Sequence, residues 1–369
     1  MLKIYRELAK KNPEVYRIQV ARVLHSQGLL HDWYNECEKE NAEISEALAI
    51  YREYAEKNPE VYLVDVARAL DSIGLLYERQ PDRCKQAGKK FSQALAIYLK
   101  LAEKNPEIYK SEEAMARYHL GNWYRNTPAE YEKAKAEQSE ALRIYHELAE
   151  KEPEVYLSYE AKALHHFGIL HNRLNQCEEA ERYLMRSLDI YRDLAKKNPG
   201  AYTTFVGNVL DSLGNLHKKL MQYELAEKEY SQVLAIYRKG ESKNPEVYKP
   251  RIARVLVDFA GFHQEVGQFD QAEKEFSEAL EKYRELVKKT PSPPYLSDMA
   301  NALYNLGLIH SRQDQYDPAE VTKEYSEAIE LYGKLAEMFP KMNMELTKVR
   351  NSLADLTAKE AEKNGKEPG

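Results

Sequence analysis

The sequence predicts an all-α fold, a solenoid of stacked helical hairpins, on three observations. A proline-led string returns at a fixed period, each period carries two helical apolar faces, and a small residue recurs at one mid-helix position. The string is NPEVY at 12–16, 58–62 and 244–248, NPEIY at 105–109, EPEVY at 152–156, NPGAY at 198–202 and PSPPY at 291–295. Its first prolines, Pro13, Pro59, Pro106, Pro153, Pro199, Pro245 and Pro291, lie 46 or 47 residues apart. Such a period marks a repeat array. The 369 residues are therefore read as one elongated array, in place of the two or three globular domains that length alone suggests.

Met1–Lys11 aligns only with the end of a second helix, so the chain begins mid-repeat. That start is either a partial helix serving as N-terminal cap or the edge of a piece of a larger protein. Residues 12–339 hold seven units, and the second unit shows their logic. Asn58 is a good N-cap, Pro59 fits the first helical position, and Glu60 suits the positive end of the dipole. Tyr62, Val66, Leu70, Ile73 and Tyr77 follow at steps of three and four, one face of a helix. Pro81, in RQPDRC, stops it. Ala87, Phe91, Ala94, Leu95, Tyr98 and Ala102 mark the second helix. It ends at the next Asn-Pro, because the residue before proline is pushed out of helical geometry. Each unit is thus two antiparallel helices of about 20 residues, ~30 Å long. Residues 340–362, with Leu346, Val349, Leu353 and Leu356 on one face, read as a C-terminal capping helix. Residues 363–369, KNGKEPG, read as a disordered tail.

The small residues are Gly28, Gly74, Gly121, Gly168, Gly214, Ala260 and Gly307. Glycine inside a helix costs about 1 kcal/mol relative to alanine. Their register points to paired helices closer than the usual distance of about 8–10 Å. A second small set follows: Ala47, Ala94, Ala141, Ser187, Val233, Ala279 and Ala328. A bulky residue stands three before it, as in Phe91, Tyr230, Phe276 and Tyr325, with Gln138 in the third unit.

This pattern resembles the tetratricopeptide repeat. In the second unit the match is Leu70, Ile73-Gly74, Tyr77, Ala87, Phe91 and Ala94. In the fifth it is Leu210, Leu213-Gly214, His217, Ala226, Tyr230 and Val233. The departure is length, since the family's usual unit is about 34 residues. The extra residues, of the type AIYREYAEK at 49–57, lengthen both helices. The resemblance implies a right-handed superhelical solenoid whose first helices line a concave, partner-binding face. Long-unit arrays of similar appearance occur in bacterial proteins and in the kinesin light chain, a likeness of architecture.

Composition excludes several functions. The chain has 54 Lys+Arg against 60 Asp+Glu, net charge −6, with 43% hydrophobic and 31% charged residues. It can bury a core and is no acidic tail. The mild acidity argues against nucleic acid, which wants a concentrated basic face. No apolar run approaches the ~18 residues of a membrane span, and the first residues lack a signal-peptide core. Cys37, Cys84 and Cys177 are too few for a disulfide framework and align at the turns between helices, as reduced residues. A soluble, cytoplasmic protein is expected.

Phosphate-loop, dinucleotide, HExxH and GxSxG patterns are missing, and the carboxylates read as solvated helix faces. No catalysis and no cofactor are expected. Five histidines fall three after the small residue, His31, His171, His217, His263 and His310, where Tyr77 and Tyr124 stand in the other units. A zinc ion needs three or four ligands at about 2 Å, whereas equivalent positions in stacked repeats lie ~10 Å apart. They read as packed imidazoles in an aromatic slot, so that phenylalanine should serve there as well, and no metal is expected. HHFGILH at 165–171 has spacings of five and six, which do not stack on one helical face.

The resemblance also implies where ligands touch: six and three before the small residue, and one and four after it. Six before stand Arg22, Arg68, Met115, Lys162, Asn208, Arg254 and Asn301. Three before stand His25, Asp71, Tyr118, His165, Asp211, Val257 and Tyr304. One after come Asn122 and Asn215, and four after come Arg125, Asn172 and Lys218. Recurring cations beside His, Tyr and Asn suit an extended, acidic peptide. The lysine three before the small residue that the family's chaperone-tail clamp requires is absent. Two functions follow as expectations. One is a non-catalytic scaffold binding an extended peptide or partner protein on its concave face. The other is a sensor or regulatory arm of, or partner to, a larger effector such as an NTPase or protease.

Overall fold

Five of the seven proline-led strings form joints one residue long, and the other two, at 242–244 and 290–292, take three residues. The computed structural model describes residues 1–33, 37–80, 83–312, 316–339 and 342–364. Among these it holds sixteen α-helices, a 3-10 turn at Pro128–Glu130, and no strand. α1 (Leu2–Lys11) and α2 (Pro13–Trp33) meet at Asn12, and α3 (Cys37–Lys57) and α4 (Pro59–Glu78) at Asn58. α5 (Cys84–Lys104) meets α6 (Pro106–Tyr124) at Asn105, and α7 (Tyr131–Lys151) meets α8 (Pro153–Arg173) at Glu152. α9 (Cys177–Lys197) meets α10 (Pro199–Lys219) at Asn198. These five joint residues have φ between −143° and −133° and ψ between 71° and 84°. That is the extended geometry a following proline imposes. The remaining helices are α11 (Tyr223–Glu241), α12 (Pro245–Glu265), α13 (Phe269–Lys289), α14 (Pro293–His310), α15 (Pro318–Met338) and α16 (Asn343–Asn364).

Side-chain capping is rarer than the asparagines suggested. Asn198 accepts from the Ala201 N–H at 3.2 Å, whereas Asn58 and Asn105 make no such bond. The backbone does the work instead. The Asn58 N–H donates to the Tyr54 carbonyl at 2.9 Å, and its own carbonyl accepts from the Tyr62 N–H at 3.3 Å. One residue closes a helix and opens the next. Pro81, expected to stop α4, lies outside the described residues, and α4 ends at Glu78. α16 buries Leu346 and Val349, as a cap should. It runs Asn343–Asn364 against the expected 340–362, so it takes in the first two residues of the expected tail.

The chain forms two compact units, Met1–Ile190 and Tyr191–Gly369. In the first, α2 packs on α3, α4 on α5 and α6 on α7, with further packing between successive hairpins. In the second, α10 packs on α11, α12 on α13 and α14 on α15. The tyrosine excess has a place here. Tyr51, Tyr98, Tyr145, Tyr191, Tyr237 and Tyr283 recur along the second helices, and all are buried.

The mid-helix small residue is a notch that a second-helix side chain fills. A methyl group on Gly74 would lie 2.5 Å from the Phe91 ring, and one on Gly307 2.7 Å from Tyr325. At Gly168 it would meet Leu184 at 2.8 Å and the Ala180 carbonyl at 3.2 Å. The close approach is thus chiefly side chain into notch, with backbone just behind it. Gly168→Leu should cost about 1–3 kcal/mol by overpacking. Gly333→Ala, where the added methyl meets nothing within 4 Å, should gain up to about 1 kcal/mol of helix propensity. Urea unfolding of the two variants against the parent reads both signs, and equal stabilities would sink the notch.

Candidate functional site

In the first unit, successive first helices bring their polar positions together. Arg68 Nη2 on α4 lies 3.3 Å from Glu112 Oε1 on α6. A hollow of about 310 Å³ opens beside this pair, lined by Arg68, Met115, Tyr145, Val155, Tyr156 and Tyr159. His25 Nε2 lies 3.0 Å from Ser72 Oγ, whose hydroxyl donates to the Arg68 carbonyl, so the imidazole N–H donates to the serine. Asp71 is buried and accepts from His119 Nδ1 at 2.9 Å. Tyr118 is buried, with Lys162 Nζ 4.8 Å from its ring centre. Asn122 accepts from Gln138 Nε2 at 2.9 Å. His165 packs on His166 with rings 5.5 Å apart, and Arg22 is exposed. Arg125 caps the end of α6.

The second unit is built from different charges. Arg254 Nη2 donates to Asp211 Oδ2 at 2.7 Å, and the carboxylate holds the guanidinium pKa above its usual value. Asp211 is buried, its Oδ1 has no partner, and burial raises its pKa. Beside it Asp258 is pushed up to about 7 by burial and then by Asp211. Burial also raises Asp298, which accepts from the Tyr283 hydroxyl at 2.9 Å. Asn208 accepts from the Tyr237 hydroxyl at 2.8 Å. Asn215 accepts from Tyr230 at 3.0 Å and donates to the Asp211 carbonyl at 3.0 Å. The Tyr304 hydroxyl lies 3.4 Å from Ser352 Oγ on α16. A hollow of about 560 Å³ is lined by Lys218, Val257, Asp258, Gln264, Asn301 and Asn305, among others.

Two results differ from the sequence reading. The cations six before the small residue are not four free charges, since Arg68 and Arg254 are paired with carboxylates of adjacent repeats. A further position lines the same face, two before the small residue, held by His119, His166, Asp258 and Asn305. Helical arithmetic could have found it, because it lies four residues after the first ligand position and so on the same stripe.

The histidine slot is more than aromatic filling. His217 Nδ1 lies 2.7 Å from Glu229 Oε2, His263 Nδ1 2.7 Å from Glu275 Oε2, and His310 Nδ1 3.0 Å from Glu324 Oε1. All three histidines are buried. The exception is His171, whose repeat has Tyr183 in place of the glutamate. Its ring packs on Phe167 and Tyr183 with centres 4.5 and 5.1 Å away. The signal was in the sequence: a glutamate follows twelve or fourteen residues after each paired histidine, while twelve after Tyr77 and Tyr124 stand Lys89 and Ala136. The His31 side chain lies outside the described residues. Among those described, no three of His, Cys, Asp and Glu converge as metal ligands. Cys84 and Cys177 are half-buried free thiols, and with Cys37 they begin the second helices α5, α9 and α3. No described helix is long and apolar enough to cross a membrane.

Comparison with known proteins agrees with this architecture. Models of the tetratricopeptide repeat match residues 161–198 and 301–341. The apo form of RapI has a similar fold over 86% of this chain and 99% of that one, at 16% identity and a TM-score of 0.55. The apo form of the quorum sensor NprR from B. thuringiensis is similar over 96% of this chain and 92% of that one, at 14% identity and a TM-score of 0.52. At these identities the likeness is one of fold. No curated protein sequence matches the chain significantly.

The buried pairs carry two expected outcomes. His217→Phe strands the Glu229 carboxylate and should cost about 1–3 kcal/mol, and adding Glu229→Leu should restore most of the loss. Urea unfolding checks this, and a single variant as stable as the parent would return the slot to simple filling. The Asp258 carboxyl keeps its proton in the folded chain up to about pH 7, well above an ordinary carboxyl. The stability it contributes is therefore present at low pH and lost as pH rises through about 7. Denaturation midpoints at about pH 5.5 and about pH 8 should differ less in Asp258→Asn than in the parent.

Proposed function

The chain carries tetratricopeptide repeats, and on that premise we propose that it is a non-catalytic scaffold for protein–protein interaction. It binds an extended, acidic segment of a partner protein on the concave face of its first helices. The observation that carries this reading is the alignment of Arg22, Arg68 and Lys162 at one repeat position, beside a hollow walled by Tyr145, Tyr156 and Tyr159. Stacked repeats are about 10 Å apart and an extended chain rises about 3.3 Å per residue. Every third ligand residue thus meets a new repeat. Arg254 is clamped to the buried Asp211, whereas Arg68 meets the half-buried Glu112 at 3.3 Å. Arg22 and Lys162 are exposed, so the acidic preference belongs to the first unit. The half-buried free thiols Cys84 and Cys177 suit a reducing compartment and hence the cytoplasm.

A second reading, a sensor or regulatory arm of a larger effector such as an NTPase or protease, draws support from one observation. One of the structures whose fold is similar to this chain is that of a quorum sensor.

Reversing Arg68 and Lys162 together to Glu should weaken partner binding at least tenfold, or about 1.4 kcal/mol, with helicity unchanged. Affinity should also fall with salt, because partly exposed charges are screened over about 8 Å at physiological ionic strength. The partner is first captured from native lysate and then titrated in purified form. A double variant that keeps its partner, while a charge reversal on the exposed second-helix surface loses it, would move the binding surface to the other side.

A further inference from the structure

Arg125 is a half-buried cation whose facing carboxylate among the described residues, Glu78, makes no hydrogen bond to its buried nitrogens. Its Nε and Nη1 are buried and have no hydrogen-bond partner. A cation is favoured at the C-terminal end of α6, but that does not account for hiding its donors. Unmade hydrogen bonds from a buried group are costly, and more so for a charged one. Replacing a buried ion pair by well-packed apolar side chains is often neutral or stabilising, and a buried charge whose donors are unbonded has still less to lose.

Its neighbours have the same sign. Arg173 Nη1 donates to the Arg125 carbonyl at 2.7 Å, which brings a second guanidinium to the same helix end. Lys162 lies over the Tyr118 ring, and His166 meets that ring edge-on at 5.2 Å. His166 Nδ1 is likewise buried without a partner. The facing carboxylate is Glu78, which accepts from Asn126 at 3.4 Å and whose pKa burial raises. The other acid and base of this region, Asp71 and His119, hold each other at 2.9 Å. Burial, then Arg173, lowers Arg125 to about 10. Burial lowers Lys162, and burial followed by Arg125 lowers His166 well below its usual value. Each charged form is disfavoured, and an anion among them would relieve all three.

Three fixed cations, Arg125, Arg173 and Lys162, outnumber the carboxylates of this region, Glu78 and Asp71, so an anion among them meets an excess of positive charge. Two planar guanidinium forks and an ammonium are also the donors that match a phosphate group.

We propose that Arg125, Arg173, Lys162 and His166, contributed by α6 and α8, form an oxyanion site on the first-helix face of the first unit, taking a doubly charged phosphate group carried by the bound segment. This rests on that face being the partner-binding one and names the group that anchors the segment there. It is a local site and does not conflict with the chain's mild overall acidity, which counts only against broad phosphate binding.

Inorganic phosphate is the probe, titrated calorimetrically into the purified full chain at about pH 7.5, where it is mostly the dianion. Acetate at matched ionic strength is the singly charged comparison. The expected result is saturable binding of one phosphate with Kd of ~1 mM or tighter, with acetate at least tenfold weaker. Arg125→Met should abolish the phosphate heat while its melting temperature without phosphate stays equal to or above the parent's. Lys162→Met, at the exposed rim, should weaken phosphate at least tenfold and keeps the test open should Arg125→Met fail to fold. A parent without saturable phosphate binding, a folded Arg125→Met that binds as the parent does, or acetate binding equal to phosphate would each overturn the site. Because phosphate is read on the chain alone, its failure leaves the partner-capture result untouched, and the converse also holds.

Discussion

The architecture depends on a steric constraint at one residue per repeat, the one before proline. That residue cannot stay helical against the proline ring, and at Asn12, Asn58, Asn105, Glu152 and Asn198 it takes nearly one conformation. A joint of a single residue leaves no slack. At these five joints the helix that ends and the helix that begins are set in one relation, so the elements they link keep one phase. Equivalent residues then fall in register between repeats. The notch, its filling side chain, the buried tyrosine and the polar face positions all recur because the joint does.

Register lets the core organise the surface. The second-helix tyrosines are buried for their rings, as their area would favour, yet their hydroxyls reach the first helices. Tyr237 donates to Asn208, Tyr283 to Asp298, and Tyr230 to Asn215. Phenylalanine would fill the same volume and leave those amides and that carboxylate unheld. At these three positions tyrosine serves a core whose inner boundary is polar, while the Tyr98 hydroxyl is buried without a partner. Face residues held from beneath lose less freedom when a ligand arrives, which is the physical content of preorganisation.

What was legible in the sequence is what is local and periodic. Helix ends, the small-residue notch and the stripe of face positions follow from proline chemistry and from steps of three and four. The misreadings concern partners across a gap. Asn58 looks like a side-chain cap from its own neighbourhood, and only the preceding helix shows that its backbone is already shared. His217 looks like an aromatic substitute until Glu229, twelve residues on and in the facing helix, is brought to 2.7 Å. Arg68 and Glu112 stand 44 residues apart in sequence and pair only because hairpins stack. Periodicity places a residue on a face. It does not say which charge of the next repeat lies opposite.

That distinction governs what the face can recognise. Arg68, Lys162 and Arg254 hold one repeat position, yet the first is paired with Glu112, the second lies over Tyr118, and the third is clamped to Asp211. The effective charge of a repeat position is therefore set by the residue opposite it in the adjoining repeat. In the second unit, Asp211, Asp258 and Asp298 lie near Arg254, and burial raises the pKa of each. In the first, Arg173 stands beside Arg125 and the facing carboxylate is Glu78. The joint, the notch and the tyrosine carry the fold. The exposed face positions, such as Arg22 and Lys162, therefore vary at little cost, unlike the buried Asp71, Tyr118 and Asp211. On the proposed reading, recognition in such an array is written in pairs between neighbouring repeats, and a buried, charged member left without a bonded partner is where a ligand has most to contribute.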